Sequence, residues 1–154
     1  MQSETISSVE QLSCLLDETD GVITTLANAS AYLNDLLPQI NWVGFYSLEQ
    51  GELRLGPFQG KAACTRIAIG KGVCGTAIAE NRTQHVDDVH AFPGHIACDS
   101  ASNSELVVVL RKQNGEPFGV LDIDSPLRNR FSEEDVRNME RAAEIISMKI
   151  RHEE

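Results

Sequence analysis

The segment "SELVVVLRKQNGEPFGVLDID", Ser104 to Asp124, constrains the fold more than any other part of the chain. Two apolar, β-branched runs flank a polar centre, and the Asn114-Gly115 dipeptide favours the positive φ angles of a type I′ turn, so the segment reads as a β-hairpin. A second hairpin precedes it: "INWVGFYSL", then "EQG", then "ELRLGPF", with a short turn containing Gly51 and alternation at Leu53 and Leu55. "CTRIAI" adds a further short strand. In "LDID" the acids Asp122 and Asp124 alternate with Leu121 and Ile123, which puts both acids on one sheet face and the apolar pair on the other. By itself that pattern reads as a solvated strand face, ahead of any hard-cation site built from the same oxygens. Trp42 and Tyr46 lie four apart on the first strand and so share a face, either as core aromatics or as one wall of a pocket.

Helices bracket these strands. Residues 7–38 carry apolar groups at helical spacing (Val9, Leu12, Leu15, Leu16, then Val22, Leu26, Ala29, Leu33, Leu36), interrupted near "DETDG", which predicts two helices. Cys14 falls on the first, in a packing role at most. Ser132 is a good N-cap with Asp135 three residues on, and Val136, Met139, Ala142, Ala143 and Ile146 continue one long amphipathic helix. The expectation is a single α+β domain over 1–154: N-terminal helices over 1–38, sheet and loops over 39–126, and a C-terminal helix over 132–152. A chain of 154 residues can bury such a core without metal or disulfide staples.

The formal net charge of −10 offers no electrostatic footprint for nucleic acid or an anionic membrane surface, and "LVVVL" is far too short to span a bilayer. The polar, acidic start "MQSETISSVE" lacks the features of a secretory signal, so the expected location is cytoplasmic. There the four cysteines, Cys14, Cys64, Cys74 and Cys98, point to redox or catalytic use rather than a permanent disulfide framework. None lies within a few residues of another, and His85, His90 and His95 recur every five residues, off any common helical face. The histidines therefore read as loop and surface residues, with no metal site and no cofactor expected.

"IAIGKGVCGTAIAE" spaces Gly70, Gly72 and Gly75 like a dinucleotide fingerprint, but "CTRIAI" lacks the character of a buried parallel strand and no acid ends a second strand about 20 residues on. The segment reads as a tight turn into a short helix, whose start, at the amides of Gly72 to Gly75, suits a carboxylate as well as a phosphate. Cys74 lies in its first turn, where the dipole favours thiolate; a thiol facing the core is the equal alternative. Cys98 is placed differently, within "FPGHIACDSASNSE", a run of Gly, Pro, Ser, Asn and Asp with neither helical nor strand periodicity.

Taken together, "NWVGFY", "LGPFQGKAACTRI", "GKGVCGTA", "VDDVHAFPGHIACDSASNSE" and "GVLDIDSP" resemble the ordered motif set of the free methionine-(R)-sulfoxide reductases, small enzymes built on a GAF domain. The resemblance runs from about Asn41 to Glu134. It implies reduction of free methionine sulfoxide by a cysteine that attacks sulfur and becomes a sulfenic acid, condensation with a second cysteine, and reduction of that disulfide by thioredoxin. Carried over, Cys98 is the implied nucleophile and Cys64 the resolving thiol, with Cys74 as an alternative participant and the order of attack left open. Glu105, Asp122 and Asp124 are assigned to recognition and activation of the substrate, and Trp42 and Tyr46 to the wall that receives its S-methyl group.

Crowded acids raise one another's pKa, so at least one of Glu105, Asp122 and Asp124 is expected to be protonated at neutral pH and able to donate to the sulfoxide oxygen. Joining Cys64 to Cys98, 34 positions apart, would require the Cys98 loop to move as a lid. The rival reading is a GAF-type module that binds a small ligand without turnover. An apolar stripe left exposed on either terminal helix would suit a homodimer.

Overall fold

Six strands form one antiparallel sheet in the computed structural model, which describes residues 8–95 and 101–152. In chain order the elements are α1 (Leu12–Leu15), α2 (Val22–Leu36), β1 (Trp42–Glu49), β2 (Glu52–Gly60), β3 (Arg66–Ala68), α3 (Gly72–Glu80), β4 (Gln84–Val86), a 3-10 turn (Val89–Ala91), β5 (Ser104–Arg111), β6 (Pro117–Ser125) and α4 (Glu133–Lys149). Across the sheet the strands run β3-β2-β1-β6-β5-β4. The two hairpins therefore stand side by side, and β1 and β6 join them through the pairs Trp42↔Asp124, Gly44↔Asp122 and Tyr46↔Val120.

Period-two alternation divides the molecule into two cores. Val43 and Phe45 of β1, Leu106, Val108 and Leu110 of β5, and Leu121 and Ile123 of β6 pack with α1, α2 and α4 on one face. Trp42, Tyr46, Val107, Val109 and Val120 point the other way, into a smaller core closed by α3 and β3. The terminal helices thus cover one face as expected, while the short Gly-rich helix closes part of the second. Among the described residues, no helix is long and apolar enough to cross a membrane. Cys14 is exposed, as are Val22 and Ile23 of α2 and Met148 of α4.

Local chemistry explains most element boundaries. Ser132 and Asp135 form a reciprocal capping box, Ser132 Oγ accepting from the Asp135 amide at 3.1 Å and Asp135 Oδ2 from the Ser132 amide at 2.9 Å. Arg130 ties that start to the end of the N-terminal segment, donating to the Pro38 carbonyl at 3.0 and 2.8 Å and to Asp135 at 3.1 Å. The turns correct one expectation. Positive φ at both Gln50 and Gly51, with Glu49 paired to Glu52, places the type I′ geometry in the first hairpin. In the second, Gly115 alone is left-handed; its amide bonds to Lys112 O and the register shifts at Leu110/Arg111, as in a type I turn followed by a bulge. The Asn114 side chain instead accepts from the Glu116 amide at 3.0 Å, which stabilises the turn without requiring positive φ at Asn114.

Candidate active site

Rows of side chains across β1, β6 and β5 build the floor of a cleft on the smaller core. One row is Trp42–Asp124–Glu105, the next Gly44–Asp122–Val107, and the third Tyr46–Val120–Val109. Strand pairing alone therefore brings Glu105 and Asp124 directly opposite each other with Asp122 one row away, although their sequence positions lie on two strands. The three acids are 8%, 6% and 8% exposed. This overturns the reading of Asp122 and Asp124 as a solvated face, because α3 and the loops cover the side of the sheet on which they stand.

The aromatic wall depends on glycine. Trp42 stacks between Tyr46, at a centroid distance of 6.0 Å, and Phe58, at 5.1 Å. A Cβ at Gly44 would lie 2.8 Å from Trp42 Cη2 and 2.2 Å from Phe58 Cβ, and one at Gly60 would lie 2.6 Å from Trp42 Cδ1. Both residues must lack a side chain for the indole to lie flat. Trp42 Nε1 donates to Lys61 O at 3.0 Å and the Tyr46 hydroxyl to Cys64 O at 2.9 Å, so the two aromatics hold the segment between β2 and β3 over the cleft. Cys64 is half-buried on that segment and is disulfide-bonded, whereas Cys14 and Cys74 are free thiols. Cys98 lies outside the described residues.

α3 closes the opposite side. Gly75 fits against β3 so tightly that a Cβ there would come within 2.4 Å of Ala68 O, and its carbonyl accepts from the Gly70 amide at 2.8 Å. That contact fixes Lys71, Gly72, Val73 and Cys74 along the cleft. Ala63, Ile67, His95 and Ser102 complete the lining.

Electrostatics in this cleft favour protonated forms. Burial, then the charges of Asp122 and Asp124, push the Glu105 carboxyl well above its usual range, and Glu105 hydrogen-bonds to both aspartates. Burial also raises Asp122, offset by hydrogen bonds from Glu105 and Cys74 and one with Asp124. Glu105 is thus the carboxyl positioned to carry a proton. Cys74 is raised as well, by burial first and then by the three acids, and its thiol bonds to Asp122. Of the two readings of Cys74, the structure gives the core-facing thiol and not the thiolate: desolvation and three acids outweigh the partial charge of one helix end. Burial, followed by the nearby acids, likewise raises the Tyr46 hydroxyl, keeping it a donor.

Ligand atoms of Cys74, Glu105 and Asp122 lie within 4.8 Å of one another, close enough to surround a cation. Cys74 and Glu105 would first have to lose protons that burial holds in place, so this cluster is better suited to donating hydrogen bonds than to metal ligation. Among the described residues, the buried Asp122 Oδ1 meets no hydrogen-bond partner. It is an acceptor left for whatever occupies the cleft.

Sequence reasoning missed three polar lining residues. His95 reads as a loop histidine, yet it borders the cleft 6.3 Å from the His90 ring, its pKa lowered by burial and then by His90. Ser102 reads as one of several loop serines, but it is 6% exposed and accepts from Asn41 Nδ2 at 3.1 Å. Lys71 carries no signal beyond preceding the short helix. None of these positions follows from periodicity, because each lies outside regular strand pairing.

Comparison with known proteins places this geometry. The family model of the GAF domain matches residues 19–151. The free methionine-R-sulfoxide reductase of Escherichia coli is 57% identical over 117 residues, covering 76% of this chain and 70% of that protein. Two solved structures superpose closely. The reduced form of fRMsr of Staphylococcus aureus gives a TM-score of 0.90 at 52% identity, with 94% of each chain covered. The free methionine-R-sulfoxide reductase of Neisseria meningitidis in complex with its substrate gives 0.88 at 39% identity, with 96% of this chain and 89% of that chain covered. Fold and sequence thus agree, and the chain belongs to the GAF-domain family of free methionine-R-sulfoxide reductases.

Proposed function

We propose that this protein reduces free L-methionine-(R)-sulfoxide to methionine, with Cys98 as nucleophile and Cys64 as resolving thiol. The observation that carries the reading is the buried triad of Glu105, Asp122 and Asp124 facing the Trp42–Tyr46 wall in a chain 57% identical to a named reductase. The triad meets both polar demands of the substrate. A protonated Glu105 donates toward the sulfoxide oxygen, and ionised aspartate receives the ammonium group. The stacked aromatics supply an apolar surface for the S-methyl group.

In the first step the Cys98 sulfur attacks the sulfoxide sulfur while the oxygen gains its proton. The S–O bond of the substrate breaks and the oxygen passes to Cys98, so methionine leaves reduced by two electrons and Cys98 becomes a sulfenic acid. Attack by Cys64 on that sulfenic acid then forms a disulfide and releases water. A dithiol reductant of the thioredoxin class returns both thiols by becoming a disulfide itself, consistent with a cytoplasmic setting. That Cys64 is disulfide-bonded rather than free supports its place in this cycle. Cys74, buried, neutral and bonded to Asp122, suits a hydrogen-bonding role better than nucleophilic attack.

Single-turnover chemistry tests the assignment. Reduced Cys64→Ser should release one equivalent of methionine and then stop, whereas Cys98→Ser should release none. Equal single-turnover yields from the two variants would reverse or remove these roles.

A further inference from the structure

On the reductase reading above, we infer that Tyr46 is a positioning residue for the resolving thiol: its hydroxyl holds the Cys64 segment for attack on the oxidised nucleophile and so governs the second step of turnover. Residues 62–64 belong to no helix or strand, so no backbone ladder places Cys64. β2 ends at Gly60, and β3 begins its pairing with β2 at Arg66↔Arg54. Donors from the cleft wall and from β2 meet the intervening segment. Trp42 Nε1 donates to Lys61 O at 3.0 Å, the Tyr46 hydroxyl to Cys64 O at 2.9 Å, and the Leu55 amide to Thr65 O at 3.0 Å.

Of these bonds, the one from Tyr46 is made at Cys64 itself. Tyr46 is 2% exposed, stacks on Trp42 and pairs with Val120 across the sheet, so its hydroxyl is a fixed point to which an irregular segment is tied. Burial and the nearby acids keep that hydroxyl protonated, and hence a donor. Cys64 is disulfide-bonded in this arrangement, so the hydrogen bond is present in the product of a resolving step. In that step the Cys64 sulfur attacks the sulfenic sulfur of Cys98. The S–S bond forms, the S–O bond breaks, and the oxygen leaves as water with the proton given up by the Cys64 thiol, so no outside oxidant or reductant takes part. A backbone already held where it stands in the disulfide leaves less to be ordered before the two sulfurs meet. Without that hold, the sulfenic acid persists longer before it is resolved.

The two steps of one turnover can be followed separately. Reduced wild type, Tyr46→Phe, Cys64→Ser and the double variant carrying both substitutions are mixed with free L-methionine-(R)-sulfoxide and no reductant. Methionine is measured by chromatography, sulfenic acid by dimedone trapping and mass spectrometry, and the disulfide by counting free thiols. Tyr46→Phe keeps the ring and should still release one methionine per chain. Its disulfide should close about tenfold more slowly than that of wild type, the size of one hydrogen bond, with a dimedone adduct on Cys98 that wild type does not accumulate. In the Cys64→Ser background, where nothing resolves the sulfenic acid, adding Tyr46→Phe should leave its lifetime unchanged. Disulfide closure as fast in Tyr46→Phe as in wild type, or an equal change in sulfenic acid lifetime with and without Cys64, would overturn the positioning role and leave the reductase reading standing. A wild type that releases no methionine would overturn both.

Discussion

Glu105 is where desolvation and chemistry meet. Its folded pKa lies above the 4.5 of a free glutamate, so between that value and the raised one the native state binds a proton that the unfolded chain has released. Stability from this group is full below about 4.5 and declines as pH rises through the raised value; Asp122, also raised, acts in the same direction. Glu105→Gln keeps the hydrogen bonds to both aspartates without a titrating proton. It should stabilise the substrate-free fold measurably at pH 8, with little gain at pH 5. Urea denaturation at the two pH values reads this, and an equal effect at both would exclude an elevated pKa. The same variant should lose at least about 100-fold in kcat/KM, since an amide cannot transfer the proton. Wild-type activity should fall as pH rises through the Glu105 pKa.

At the scale of elements, α3 matters through its fit against β3. Gly75→Ala would drive a Cβ to 2.4 Å from Ala68 O, a backbone atom that cannot swing aside. The helix must shift, taking Lys71 to Cys74 with it, so the variant should be destabilised by about 1–3 kcal/mol and show a raised KM. Thermal melts and steady-state kinetics check both, and a neutral substitution would contradict the packing described. The strands show what a sequence conveys about such a site. Alternation in "LDID" assigns Asp122 and Asp124 to one face, and the four-residue spacing puts Trp42 with Tyr46. That the acidic face is buried depends on α3 and the loops covering it, which no strand periodicity encodes. Turn chemistry misleads for a related reason. Asn114-Gly115 favours type I′, but the bulge at Leu110/Arg111 sets another register, and Gln50-Gly51 adopts positive φ at both residues without the favoured Asn.

The whole molecule separates stability from chemistry by the two faces of one sheet. Leu33 is fully buried among the helices of the larger core, on the far side from the cleft. Leu33→Ala should cost about 2–5 kcal/mol by chemical denaturation while leaving kcat/KM within about twofold at 20 °C, where the variant remains folded. The family resemblance was legible in ordered motifs along most of the chain, whereas His95, Ser102 and Lys71 emerge only when loops from different parts of the sequence meet over the sheet. The central claim concerns what this assembled cleft turns over. It is tested most directly by giving the reduced protein a mixture of free L-methionine-(R)- and (S)-sulfoxide, and separately a peptide-bound sulfoxide, with thioredoxin, thioredoxin reductase and NADPH, and following each epimer by chromatography. The R epimer should disappear with one NADPH oxidised per methionine formed, leaving the S epimer and a peptide-bound sulfoxide untouched. Persistence of the R epimer, or equal loss of both, would contradict the account.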